Sequence, residues 1–316
     1  MSGPVGRVAI TGASGFVGGR TIEMLVRRGD VAVQAVVRGY GRLARLSPLP
    51  QDRLSFAVAD ICDGDALATA FGGCDAVVHC AFGSSGDVAA RWHSSVDGTA
   101  QVLAAARRAG VRRLVHLSTA EVYDCTSEII DETTAPIAEI AQDQEYEQQK
   151  LAAERLVLAD GGPGLERVVL QPAILYGPWA GQWTAAQLER LPTDSGALPT
   201  GNHGRCAALY IDDLVTAIEA ALVVPGIDGE RFVLAGAEQV SWGRFFDAYR
   251  AMLSLTPPAV PVGAIEAWEK ELYNRPGRLV SAKAERILGW QGRTTLDEGM
   301  AVVRNWASWM GYMGHP

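Results

Sequence analysis

Lysine is nearly missing from this chain. Among 28 basic residues only Lys150, Lys270 and Lys283 are lysines. Cysteine is sparse too, and its five positions (62, 74, 80, 125 and 206) form no C-x-x-C pair and no metal-ligand spacing. Scattered thiols of this kind read as reduced cysteines of a cytoplasmic protein. The five histidines are equally dispersed, so no metal site is expected. No apolar run is long enough to span a bilayer, so no membrane partner is expected. No basic stripe stands out and the net charge is −8, which argues against nucleic acid and anionic lipid. Repeats and low-complexity segments are absent. The opening MSGPVGRVAITG lacks the regions of a signal peptide and enters a strand directly.

What is present is alternation. With 316 residues, 48% apolar and 20% charged, the chain can bury one large core, or a core plus a small second domain. Short β-branched runs at 7–11, 31–37, 54–60, 75–81, 112–119 and 165–173 read as strands. Between them lie helical patterns, several ended by glycine. Strands alternating with helices predict an α/β fold, a doubly wound parallel sheet of Rossmann type. From about residue 176 the alternation gives way to a Gly-, Pro- and Trp-rich stretch, then to mainly helical sequence after 240. This predicts a dinucleotide-binding domain from 1–176 plus 206–236. A smaller, discontinuous substrate lobe would comprise 177–205 plus 237–316.

TGASGFVG sets Gly12, Gly15 and Gly18 between the first strand and the first helix. Glycines let the backbone approach a pyrophosphate, and the helix N-terminus offers free N–H groups. In that context the pattern predicts dinucleotide binding rather than a mere tight turn. An acidic residue ending the second strand would select NAD. Here Arg38 stands at that point with Arg42 close behind. Arginine suits a 2′-phosphate, so NADP is the preferred cofactor and NAD the alternative. The other reading makes both arginines solvated surface charge. Asp60, ending the third strand, is a candidate for the adenine amine.

The scarce lysine has a tyrosine one helical turn before it: Tyr146 and Lys150 in YEQQK. A cation at i+4 shares the helix face and would lower the phenol's pKa. The tyrosine could then exchange a proton with a substrate oxygen while hydride moves to or from a nicotinamide. Lysine, a compact ammonium, also reaches ribose hydroxyls.

In order along the chain come TGASGFVG, DAVVHCA, the GT of SVDGT, LSTAEVY, YEQQK, QPAILYGP, YIDDL and SAKAERILGW. Together they closely resemble the extended short-chain dehydrogenase/reductases, the NAD-dependent epimerase/dehydratase family. The resemblance implies that Thr119 and Tyr146 hold the substrate oxygen and that Lys150 orients ribose. Glu121 falls where dehydratases and decarboxylases of the family place a glutamate that moves a proton. Position 120 is alanine where the best-known hexose dehydratases have aspartate, so Glu121 as base and Glu121 as a bystander both stand. Along this framework the expected cofactor contacts are Gly12, Ser14, Gly15, Phe16, Val17, Gly18, Arg38, Asp60, Ile61, Ala81 and Pro172, with Tyr146 and Lys150.

The sequence departs from the family at the nucleotide-diphosphate end. Ile174 replaces an asparagine, and Cys206 stands where an arginine is usual, with Arg205 one position earlier. Arg275 or Arg278 could supply a second phosphate contact. Trp179 and Trp183 either wall a pocket or pack the lobe. The first expectation is an epimerase or dehydratase cycle on a nucleotide-activated sugar. One-way NADPH-dependent reduction of a smaller carbonyl is the alternative, and a non-catalytic NAD(P)-binding regulator is a third. The resemblance also implies a homodimer through the helices near 96–109 and 146–158, with Ala152, Ala153, Leu156 and Val157 in a four-helix bundle.

Overall fold

The structure is a computed structural model that describes residues 5–124, 127–137, 145–193, 204–255 and 266–313. Seven parallel strands make the central sheet: β1 (Arg7–Thr11), β2 (Ala32–Val37), β3 (Leu54–Val58), β4 (Ala76–His79), β5 (Arg113–Leu117), β6 (Glu166–Pro172) and β7 (Glu230–Leu234). Their order is β7-β6-β5-β4-β1-β2-β3. The order reverses between β1 and β4, the switch point where doubly wound sheets open a crevice at the carboxyl ends of their strands. Val8 pairs with Val33 of β2 on one side and Ala76 of β4 on the other.

Both faces are dry, which is why the strands read as unbroken apolar runs. Val8, Ile10, Val78, Val115 and Val168 face one way. Ala9, Val77, Leu114 and Val169 face the other. The first face is covered by α1 (Phe16–Arg28) and, further along the chain, Ile211–Val223. The second is covered by α2 (Gly64–Ala70), α3 (Gly98–Arg108) and α4 (Glu145–Ala159). Ile211–Val223 is designated α5.

Ala153 and Val157 lie on the inner face of α4, at 3% and 0% exposure. That corrects their expected place in a subunit interface. Positions four apart share a face, and this face packs on the chain's own sheet. Ala152 and Leu156 point outward instead.

Beyond the strand ends, Trp242–Met252 and Ala267–Asn274 carry an aromatic cluster. The rings of Trp242 and Tyr273 are 4.8 Å apart, and those of Trp183 and Trp242 are 5.2 Å apart. Trp242 and Phe245 belong to the same hydrophobic core as Val8 and Ile10 of the sheet. The helix Ala282–Leu288 leans on β7 and α5. Among the described residues no helix is long and apolar enough to cross a membrane.

Candidate active site

The β1–α1 turn is built around absent side chains. Gly12 has φ +66°, and a Cβ there would lie 2.8 Å from the Ala81 nitrogen. A Cβ on Gly18 would lie 2.4 Å from the Gly12 carbonyl oxygen. Gly15, the N-cap of α1, brings no side-chain cap, and the first turn holds no acidic residue. The donors at this helix end are thus left for an anion from outside the chain. Ser14 is exposed beside them. Thr11 Oγ1 and His79 Nδ1 are 2.7 Å apart, which ties β4 to the loop. The loop therefore fits a dinucleotide pyrophosphate, with Ala81 alongside.

At the carboxyl end of β5, three consecutive residues meet α4. The Lys150 ammonium donates to the Leu117 carbonyl at 2.8 Å. Ser118 Oγ donates to Glu154 at 2.6 Å. Thr119 stands near the Tyr146 hydroxyl, where its side chain opposes the upward shift of the phenol. Leu117, Thr119, Tyr146 and Lys150 all face one cavity of about 670 Å³, whose wall also includes Phe16, Val17, Pro172 and Glu121. The sequence-predicted catalytic set thus converges on one cavity with part of the predicted cofactor set.

Gly12, Ser14, Gly15, Gly18 and Ala81 lie outside the cavity wall, as do Arg38, Asp60 and Ile61. Arg38 and Asp60 are exposed just past the ends of β2 and β3, and Ile61 packs against Gly98. Asp60 accepts the Cys62 backbone N–H at 2.9 Å. Among the described residues no ion pair engages Arg38 or Arg42, whereas Arg45 is bound to Glu23.

Charge at the site follows burial. Burial lowers the Lys150 pKa to about 8, while Cys80 and Glu154 raise it. Desolvation of its hydroxyl pushes the Tyr146 phenol up although the residue as a whole is 43% exposed, and Thr119 opposes this. The phenol is shifted upward overall, against the expected lowering by Lys150. The Lys150 ammonium is turned to the Leu117 carbonyl and lies 4.7 Å from the Phe82 ring centre. His79 sinks to about pKa 3 through burial and the nearby Lys150 charge. His116 is lowered in the same way, with both ring nitrogens buried and unpartnered.

Several wall residues gave no sequence signal. Trp268, Glu147, Glu271 and Cys80 line the cavity. Glu121 is ion-paired with Arg275, which also reaches Glu271 at 3.4 Å. Trp183 and Ile174 line the wall too. Trp179 instead packs 5.8 Å from Trp306 and 6.1 Å from Trp309. Cys206 is buried, while Arg205 and Arg278 are exposed.

The profile of the NAD dependent epimerase/dehydratase family matches residues 8–235. A dTDP-glucose 4,6-dehydratase from Streptomyces niveus is 30% identical over 95% of this chain and 92% of its own. A 4-hydroxy-2-methyl-3-oxo-4-farnesyl-3,4-dihydroquinoline-1-oxide ketoreductase from Stigmatella aurantiaca is 26% identical over 94% of this chain and 96% of its own. Among solved structures, DesIV, a dTDP-glucose 4,6-dehydratase from Streptomyces venezuelae with NAD bound, superposes with a TM-score of 0.82. It shares 25% identity, covering 98% of this chain and 99% of that one.

Proposed function

The chain belongs to the NAD dependent epimerase/dehydratase family, and on that premise we propose that its cavity exchanges hydride at a hydroxyl- or carbonyl-bearing carbon. The observation that carries this is the convergence of Thr119, Tyr146 and Lys150 on one wall beside the glycine loop. The cofactor, when bound, supplies or accepts the hydride. Tyr146 gives a proton to the carbonyl oxygen as hydride arrives, or takes one from the hydroxyl as hydride leaves. Thr119 holds that oxygen. Lys150 leaves the Leu117 carbonyl for ribose and brings its charge toward the phenol.

The full-length dehydratase relatives favour a closed epimerase or dehydratase cycle on a nucleotide-activated sugar. In that cycle Arg275 turns to the diphosphate and releases Glu121 to act as base. A second reading, one-way reduction of a smaller carbonyl, is favoured by a specific observation. The arginine in the cavity wall is already held by Glu121 and Glu271. In that reading the Glu121–Arg275 pair stays closed, and Ile174, Trp183 and Trp268 wall an uncharged substrate.

Tyr146→Phe tests the shared chemistry. Turnover should vanish with cofactor affinity nearly unchanged, and joint loss of both would overturn the assignment. The nucleotide released on denaturing the purified protein separates the two readings. Near-stoichiometric dinucleotide supports the closed cycle, and an empty protein that binds NADPH freshly supports one-way reduction. Arg38 and Arg42, exposed at the end of β2, support NADP over NAD.

A homodimer through the outer faces of α3 and α4 is also proposed. Leu156 and Ala104 are exposed there, and the neighbouring Trp92 is 36% exposed. Light scattering that gives a monomer at micromolar concentration would count against it. A cytoplasmic location rests on Cys62, Cys74, Cys80 and Cys206, which are free thiols.

A further inference from the structure

Tyr146, Lys150 and Glu154 succeed one another at four-residue intervals along one face of α4. The mechanism above uses the first two. Glu154 is only 1% exposed, a depth at which carboxylates are rare unless partnered. Its partners come from three strands. Ser118 Oγ donates at 2.6 Å from the end of β5, and Gln171 Nε2 donates at 3.0 Å from β6. Arg231 of β7 approaches to 3.7 Å. Gln171 in turn accepts from the Tyr123 hydroxyl at 2.7 Å. Burial raises the Glu154 pKa, and Ser118, Gln171 and Arg231 oppose that by favouring the ionised carboxylate; removing it would leave these donors unsatisfied.

Ser118 lies between Leu117, whose carbonyl holds Lys150, and Thr119, which shares the cavity wall with Tyr146. Around Lys150 the remaining described side chains offer no negative charge. His79 and His116 face it from β4 and β5 and are kept neutral by burial and its charge. The Cys80 thiol, pushed up to about 12 by burial, stays protonated. Phe82 offers a ring face and Tyr146 a neutral phenol. Glu154 is the acidic side chain that raises the lysine's proton affinity.

We propose that Glu154 is a positioning residue of the reaction: it keeps Lys150 cationic and, through Ser118, clamps the strand end that presents Thr119 to Tyr146. The proposal rests on the roles given above to Thr119, Tyr146 and Lys150. Its first test needs neither cofactor nor substrate. With three lysines in the chain, [ε-13C]lysine labelling yields three side-chain signals. Lys270→Arg and Lys283→Arg assign the third to Lys150.

The native Lys150 signal should titrate well below an ordinary lysine. Glu154→Gln keeps the shape and an acceptor for Ser118 but loses the charge. It should lower the Lys150 midpoint by roughly half a pH unit, for loss of one opposite charge a helical turn away. Glu154→Asp should restore most of it. A folded Glu154→Gln protein with an unmoved midpoint would overturn the electrostatic role. Ser118→Ala breaks the clamp and keeps the charge. NADPH binding, followed by its fluorescence, should weaken roughly threefold or more while the midpoint holds. Native affinity in that variant would overturn the clamp. Failure of Tyr146→Phe to stop turnover would count against the assigned chemistry and leave the titration result standing.

Discussion

Gly18→Ala is the sharpest probe of the dinucleotide loop. The added methyl would sit 2.4 Å from the Gly12 carbonyl oxygen, 2.9 Å from the Gly12 carbonyl carbon and 3.2 Å from the Ala13 Cα. Unstrained contacts between heavy atoms begin near ~3.5 Å, so loop and helix must part by about 1 Å. The obstacle is backbone, which cannot rotate aside as a side chain would. Gly12 is held at φ +66° against Ala81, so the loop has little room to retreat. An ångström is enough to misalign the donors at the start of α1 with a phosphate oxygen. Each charge-assisted hydrogen bond lost costs roughly 1.5–3 kcal/mol, which is about 10- to 100-fold in dissociation constant. Gly73→Ala is the control. Gly73 has φ +71° with nothing within 4 Å of a new Cβ. It should cost about 1–2 kcal/mol of stability from the left-handed backbone and leave cofactor affinity alone. Fluorescence titration with NADPH and urea unfolding of both variants would separate the effects. A folded Gly18→Ala protein with native affinity would refute the loop's role.

Arg38→Asp should lower the NADP-to-NAD preference by roughly 10- to 100-fold, the value of a lost phosphate contact, measured by competitive binding. An unmoved ratio would place 2′-phosphate recognition elsewhere. The buried histidines predict acid sensitivity. Both have depressed pKa values when folded and ordinary ones near 6.5 when unfolded, so the unfolded chain binds more protons as pH falls through about 6. Stability should be fully present above that point and fall by about 1.4 kcal/mol per pH unit per histidine below it. His116→Leu should halve the slope in urea melts between about pH 6 and 4.5. An unchanged slope would show His116 free to charge in place. Thr295 and Glu298 form a reciprocal capping box on Leu296–Trp309. Thr295→Ala should cost about 1 kcal/mol in the same melts and leave cofactor affinity unchanged.

Legibility in the sequence tracked how local each signal was. Gly12, Gly15 and Gly18 declare a turn through their own spacing, and the strand and helix beside them stand where that spacing implies. Tyr146 and Lys150 declare a shared helix face by an interval of four. The apolar strands were readable because both sheet faces are covered. The Glu121–Arg275 pair joins residues 154 positions apart, and nothing nearby marks either as the other's partner. Trp183 and Trp179 looked equivalent, yet one lines the cavity and the other packs against Trp306. The orientation of α4 was misread because small and apolar residues lie on more than one of its faces. Only the sheet beneath decides that Val157 turns inward. Lys150 shows the same limit in its chemistry, since its effect on Tyr146 depends on where the ammonium points.

The shared core carries an evolutionary consequence. Trp242 and Phe245 stand beyond the strand ends, yet they belong to one continuous apolar body with Val8 and Ile10. The part of the chain that walls the cavity is therefore not a cassette. Exchanging it whole between relatives would tear the interior that holds the sheet. New specificity in such a protein is more readily gained one wall residue at a time, at positions such as Ile174, Trp268 and Glu271 that face the cavity. A lineage built this way would diversify its substrates through scattered point changes while its chain length and topology stay fixed.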